Sequence, residues 1–114
     1  MVEQRRLPRK IADEVLEVSD QFTGAIVGRV VNITVEGFML LSEEPIKTGS
    51  VFQLDMLLPR LVKGHSKISF GAESLWSSES SDDKTYWTGF HIIDISDEDT
   101  LIIDQMIMDW SVEE

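Results

Sequence analysis

Read for its apolar and polar positions, the chain is strand-like over most of its length and helix-like at its end. VLEV at 15–18, FTGAIVGRVVNIT at 22–34 and GFMLLS at 37–42 are rich in β-branched or large apolar residues, the composition of strands bounded by turn residues. FQLDMLLP at 52–59 ends on Pro59, KISFGAESLWS at 67–77 runs into the polar stretch SSESSDDK, and YWTGFHIID at 86–94 completes six segments. Short strands in succession predict an antiparallel meander, and closing it into a barrel removes the exposed edges that would otherwise pair with other chains. The period then changes. Ile102, Ile103, Met106, Ile107 and Trp110 recur at helical spacing. Ser96 to Asp99 form an S-x-x-D start, with Asp97, Glu98 and Asp99 at the positive end of the helix. The expected fold is mainly β: a six-stranded antiparallel barrel with a C-terminal α-helix that caps it. Trp110 and the helix methionines are core filling on this reading rather than a cofactor box.

Composition narrows the possible functions. The 114 residues suffice for one domain, and 42% hydrophobic with 27% charged residues is a globular balance. There is no cysteine, which excludes disulfides, thiolate metal sites and thiol nucleophiles. No apolar run approaches the roughly 18 residues of a membrane span, and no apolar segment follows the charged N-terminus, so a soluble cytoplasmic protein without membrane insertion is expected. The net charge of −11 is uneven. Residues 1–10 hold four basic side chains (Arg5, Arg6, Arg9, Lys10) against Glu3, or +3, which leaves −14 for residues 11–114. An acidic body repels long nucleic acid, whose binding depends on cationic neutralisation of phosphate. The basic patch suits a small anion, or else merely solubilises a terminus.

Catalytic constellations are missing. His65 lies in KGHSK and His91 in a strand segment, with no second ligand at metal spacing. Residues 94–105 are acidic, but a calcium loop would need glycine where Asp99 stands and glutamate where Gln105 stands. No phosphate loop or nucleophile elbow is present, and Gly24 and Gly28 are too isolated to form one. The expectation is a binding protein with neither catalytic residues, metal nor cofactor.

The stretch NITVEG at 32–37 is the second candidate site. In a strand Asn32 and Thr34 project on one face and Ile33 on the other, and Gly37 permits positive φ or a close backbone approach. By itself this is equally a turn between strands with Asn32 facing solvent. Together with Arg5-Arg6-Leu7-Pro8-Arg9, an R-x-x-x-R, it forms an ordered pair of motifs, the second reading [D/N]-x-[S/T]-x-x-G. In that order, followed by a meander and a terminal helix, with GAESLW and TGFHIIDIS downstream, the chain from Arg5 to Trp110 resembles a PilZ domain. The resemblance implies a bacterial six-stranded barrel that binds the second messenger cyclic di-GMP. Thr34 departs from the family's usual serine, keeping the hydroxyl and adding a methyl.

The resemblance also assigns roles. Arg5 and Arg9, with Arg6 assisting, would reach guanine edges or phosphates, since arginine bridges the O6/N7 acceptor pair of guanine. Asn32 and Thr34 would hold another polar edge of a base, and Gly37 would let the ligand lie against the backbone. Trp76 matches a position where some members stack a ring on guanine, and ordinary barrel packing explains it as well. Residues 1–10 would be a flexible arm, mobile when empty and clamped when liganded, on a barrel and helix formed by residues 11–114. Such a chain would act on an unidentified protein partner in motility, pilus or biofilm control. The alternative is a PilZ-like adaptor that takes no nucleotide.

Overall fold

The computed structural model describes residues 10–12, 14–81 and 84–110. Among the described residues seven strands, all paired antiparallel, precede one helix: β1 (Lys10–Ile11), β2 (Glu17–Asp20), β3 (Ile26–Ile33), β4 (Gly37–Ser42), β5 (Val51–Val62), β6 (His65–Glu79), β7 (Tyr86–Ile95) and α1 (Asp97–Trp110). Strand order β3-β2-β5-β6-β7-β4, with β4 returning to β3, closes a six-stranded barrel. β1 lies on the same edge of β3 as β2, one step further along: Lys10 and Ile11 pair with Ile33 and Asn32, while Glu17 pairs with Arg29. Between the two pieces, Ala12 N–H donates to the Val31 carbonyl and Val30 N–H to that of Leu16. The edge of β3 is thus covered by one broken strand. Lys10, read from sequence as the end of the arm, is already part of it.

Several boundaries differ from the sequence reading: β1 has no counterpart in it, β2 runs over 17–20 rather than 15–18, and β6 over 65–79 rather than 67–77. Two further differences have a clear local cause. Residues 22–25 are a turn and not the start of β3. Asp20 Oδ1 accepts the N–H groups of Phe22 (2.7 Å) and Thr23 (3.2 Å), and Gly24 takes φ of 77°, so an aspartate competes successfully for backbone that a ladder would otherwise use. Conversely, β5 does not stop at Pro59. It continues to Val62, with its register against β6 slipping between Leu57 and Val62. A proline is tolerated there because its missing N–H falls where the ladder is already interrupted. Lys63 and Gly64, at φ of 51° and 84°, then make a two-residue turn of the primed kind into β6.

The strand faces turned inward form one core with the helix. Leu16, Val18, Phe38, Leu40, Leu54, Met56 and Ile68 are buried, and Ile102, Ile103, Met106 and Trp110 close the cluster from α1. Ile107 is only partly buried. Ser96 caps the helix as expected, its Oγ accepting the Asp99 N–H at 3.1 Å. Asp99 itself reaches across to the Ser69 N–H of β6 at 3.1 Å, and Glu98 meets His65 Nε2 at 2.7 Å, so the acidic first turn also ties the helix to the barrel.

The other end of α1 is tied to the chain between β1 and β2. Glu14 accepts from Trp110 Nε1 and from Arg60 Nε, both at 3.0 Å, and Arg60 Nη2 continues to Asp109 at 3.2 Å. The bonds from Arg60 and then Trp110 hold the Glu14 carboxyl below its ordinary value. A carboxylate with a lowered folded value adds stability above the unfolded value, and that stability is lost as pH falls through the folded one. Glu14→Gln should therefore lower the melting temperature slightly at neutral pH and flatten its decline below about pH 4.5. Melting curves of both proteins from pH 7 to 3 check this, and parallel declines would discount the Glu14 tie.

Candidate functional site

The site is laid out by two irregularities that flank the β4–β7 pair. In β3 the register against β4 jumps from Val30↔Leu40 to Asn32↔Met39, leaving Val31 as an extra residue. In β6 it jumps against β7 from Ser74↔Phe90 to Trp76↔Gly89, leaving Leu75 extra. Bulges of this kind re-aim side chains. Here they bring Asn32, Met39, Gly89 and Trp76 into a single row across β3, β4, β7 and β6, because Met39 pairs with Gly89. At about 4.8 Å between strands the row is ~14 Å long. Ile11 of β1 extends it at the Asn32 end.

A cavity of about 320 Å³ lies over this row, lined by Asn32, Met39, Gly89 and Trp76 with Phe38, Leu75 and Phe90. Trp76 is 45% exposed and its indole lies against Gly89, so a Cβ at Gly89 would overlap the ring. Glycine in the middle of a strand makes room for that close approach. Below it, Phe38 and Phe90 stack with ring centroids 5.0 Å apart, and Phe70 meets Phe38 edge-on at 5.6 Å. The cavity has an aromatic wall and floor with an amide at one end.

Thr34 and Gly37 stand behind this row rather than in it. β3 ends at Ile33, and Thr34 is 6% exposed. Its Oγ1 accepts the N–H groups of Glu36 (3.0 Å) and Gly37 (3.2 Å), while its own N–H donates to the Gly37 carbonyl at 2.8 Å. Asn32 and Thr34 therefore do not present an amide and a hydroxyl side by side on one strand face; the hydroxyl is engaged in the turn. Gly37 has no positive φ, and the close approach it permits is to β7: a Cβ would overlap the Phe90 carbonyl oxygen, and Ile92 N–H reaches the Glu36 carbonyl at 2.7 Å. Thr34→Ser keeps this turn, whereas Thr34→Val leaves two N–H groups without their acceptor and should cost about 1–3 kcal/mol of stability. Denaturant titration of the two variants separates hydroxyl from methyl, and equal midpoints would show that the hydroxyl bonds contribute nothing.

Arg5, Arg6 and Arg9 lie outside the described residues, as does the expected arm apart from Lys10. Among the described residues no group of three His, Asp or Glu side chains could hold a metal ion, and no helix is long and apolar enough to cross a membrane. His65 is bonded across to Glu98 of α1, and His91 is an exposed residue of β7 opposite Gly37. Sequence reasoning passed over Met39, Leu75 and Gly89. Only Gly89 left a signal, as a glycine inside an otherwise strand-forming run.

Residues 3–109 match the model of the PilZ domain. The chain belongs to the PilZ domain family. Solved structures show the same fold. The Bacillus subtilis inhibitor of motility MotI/DgrA is similar with a TM-score of 0.78 and 17% identity, over 99% of this chain and 53% of that one. The PilZ domain of Escherichia coli YcgR with c-di-GMP is similar at 0.73 and 16%, over 97% of this chain and 94% of that one. The K. pneumonia MrkH complex with c-di-GMP is similar at 0.75 and 15%, over 98% of this chain and 54% of that one. This PilZ domain thus spans about half the length of MotI and MrkH and nearly all of the isolated YcgR domain. No curated protein matches it by sequence. At these identities the likeness is one of fold.

Proposed function

We propose that this PilZ domain is a receptor for cyclic di-GMP that signals through protein contacts in the cytoplasm, in motility, pilus or biofilm control. One observation carries the reading. Lys10 and Ile11 pair with Ile33 and Asn32, so the chain that leaves the R-x-x-x-R motif joins the barrel at the end of the row that carries Asn32 and Trp76. Arginines reaching it would meet a cavity with an amide at one end and an indole at the other. Arg5 and Arg9 would take guanine edges or phosphates, with Arg6 beside them. Asn32 would bond a base edge, and Trp76 would stack on a guanine, a contact worth about 1–3 kcal/mol per base. Thr34 and Gly37 would act at one remove, holding the turn that fixes the end of β3. Two of the similar structures hold c-di-GMP, which supports the choice of ligand. On binding, residues 1–10 would close over the ligand and present a new surface to a partner.

Calorimetric titration with cyclic di-GMP tests this. Saturable heat is expected, with Thr34→Ser matching or exceeding the parent affinity because the hydroxyl is retained. The competing reading, an adaptor without nucleotide, draws on the Thr34 hydroxyl being engaged in the turn and on Gly37 facing β7. Absence of heat from a folded protein would establish it and remove the receptor.

A further inference from the structure

At the far end of β3 from Asn32 is a second concavity, larger than the first, that the proposed receptor function leaves unused. We infer that this groove and the β2–β3 turn beside it dock a segment of a partner protein in which apolar side chains alternate with lysine or arginine. The groove holds about 760 Å³, and Asp20 and Thr23 of the turn line one end of it.

Its apolar content is exposed. Val15 (65%) and Ile26 (56%) line it without being covered, and Ile46 is half-buried in its wall. Phe22, at the tip of the turn, is 82% exposed. That exposure does not come from a loose loop. Asp20 Oδ1 holds the N–H groups of Phe22 and Thr23, Gly24 N–H donates to the Asp20 carbonyl at 2.8 Å, and Ala25 N–H donates to Thr23 Oγ1 at 3.1 Å. An aromatic ring on a braced turn loses little backbone entropy when covered, the property of an interface anchor.

The rim states the chemistry of the occupant. Glu17, Asp20, Glu43 and Glu44 line the groove, and Arg29, directly across from Glu17, is the one cation among its lining residues. Such a rim repels anionic membranes and nucleic acid and draws a cationic segment. It also argues against a second copy of this chain, since self-docking would set acids against acids. β1 runs antiparallel to β3 and begins at Lys10 opposite Ile33, the end of β3 away from Ile26 and the groove.

The test is amide NMR on the full chain, using as probe a capped peptide of leucine and phenylalanine flanked by lysines, with a glutamate-flanked peptide as control. Saturable shifts are expected at Thr23, Ile26, Glu43 and Glu44 with the lysine peptide alone, weakening as salt is raised. Phe22→Ala, and separately Glu43→Lys, should each weaken binding at least about tenfold while cyclic di-GMP titration stays at the parent value, which keeps this inference separable from the receptor reading. Equal binding of both peptides, shifts centred elsewhere, or unchanged affinity in both variants would overturn it. So would groove shifts without peptide that follow protein concentration, showing a second copy, or that follow Arg5→Ala with Arg9→Ala, showing the chain's own terminus.

Discussion

Phe38→Ala should lower the free energy of unfolding by about 3–5 kcal/mol, the cost of deleting a buried phenylalanine from a core that relaxes only in part. Phe38 is 1% exposed, and its ring is stacked on Phe90 and met edge-on by Phe70, so removal forfeits two aromatic contacts as well as buried area. A domain of this size has a total stability of about 5–15 kcal/mol, so the loss is a large share. The same ring lines the cavity over Asn32 and Trp76. The variant should therefore lose ligand affinity as well as stability, whereas Phe38→Leu, which keeps most of the volume, should retain more of both. Denaturant unfolding with and without cyclic di-GMP measures the two effects together. A loss below about 1 kcal/mol would mean that the aromatic stack is not what holds β4 to β7.

The second large effect belongs to the arginines. Each charge-assisted hydrogen bond contributes about 1.5–3 kcal/mol, so Arg9→Ala should weaken cyclic di-GMP binding by at least ~2 kcal/mol, roughly thirtyfold. Arg5→Ala combined with Arg9→Ala should approach ~4 kcal/mol, on the order of a thousandfold, if the two act on separate groups of the ligand. The barrel closes and fills its core within the residues from Lys10 onward, so ligand-free melting should stay within about 0.5 kcal/mol of the parent. Asn32→Ala, which removes neutral bonds, should cost about 1 kcal/mol of binding. Parent affinity in the double variant would sink the arginine assignment, and a large fall in its ligand-free melting temperature would show that the arginines serve the fold.

The architecture was legible because its two periods are. Alternation in GFMLLS and KISFGAESLWS puts Phe38, Leu40, Ile68 and Phe70 inside, and helical spacing puts Ile102, Ile103, Met106 and Trp110 against them. Strand ends were less legible where one side chain decides. Asp20 converts residues 22–25 into a turn, and the register slip after Leu57 lets β5 run through Pro59. The site was legible as residue types and not as geometry. Asn32 and Trp76 were singled out, but their alignment in one row depends on the extra residues Val31 and Leu75. Neither valine nor leucine announces a bulge, because a bulge is settled by pairing across strands that are distant in sequence. The same cause hid the work of Gly37, whose neighbour Phe90 lies far along the chain.

Two of the chain's three tryptophans differ in a useful way, the third being Trp87, half-buried in β7. Trp110 is buried and fixed by its bond to Glu14, while Trp76 lies against Gly89 in the cavity lining and is 45% exposed. Indole emission follows the polarity around the ring and is quenched by a stacked base. Trp76 is therefore an expected optical reporter of cavity occupancy, read label-free as the difference in emission between the parent and Trp76→Phe, with Trp87 and the shielded Trp110 as the common background.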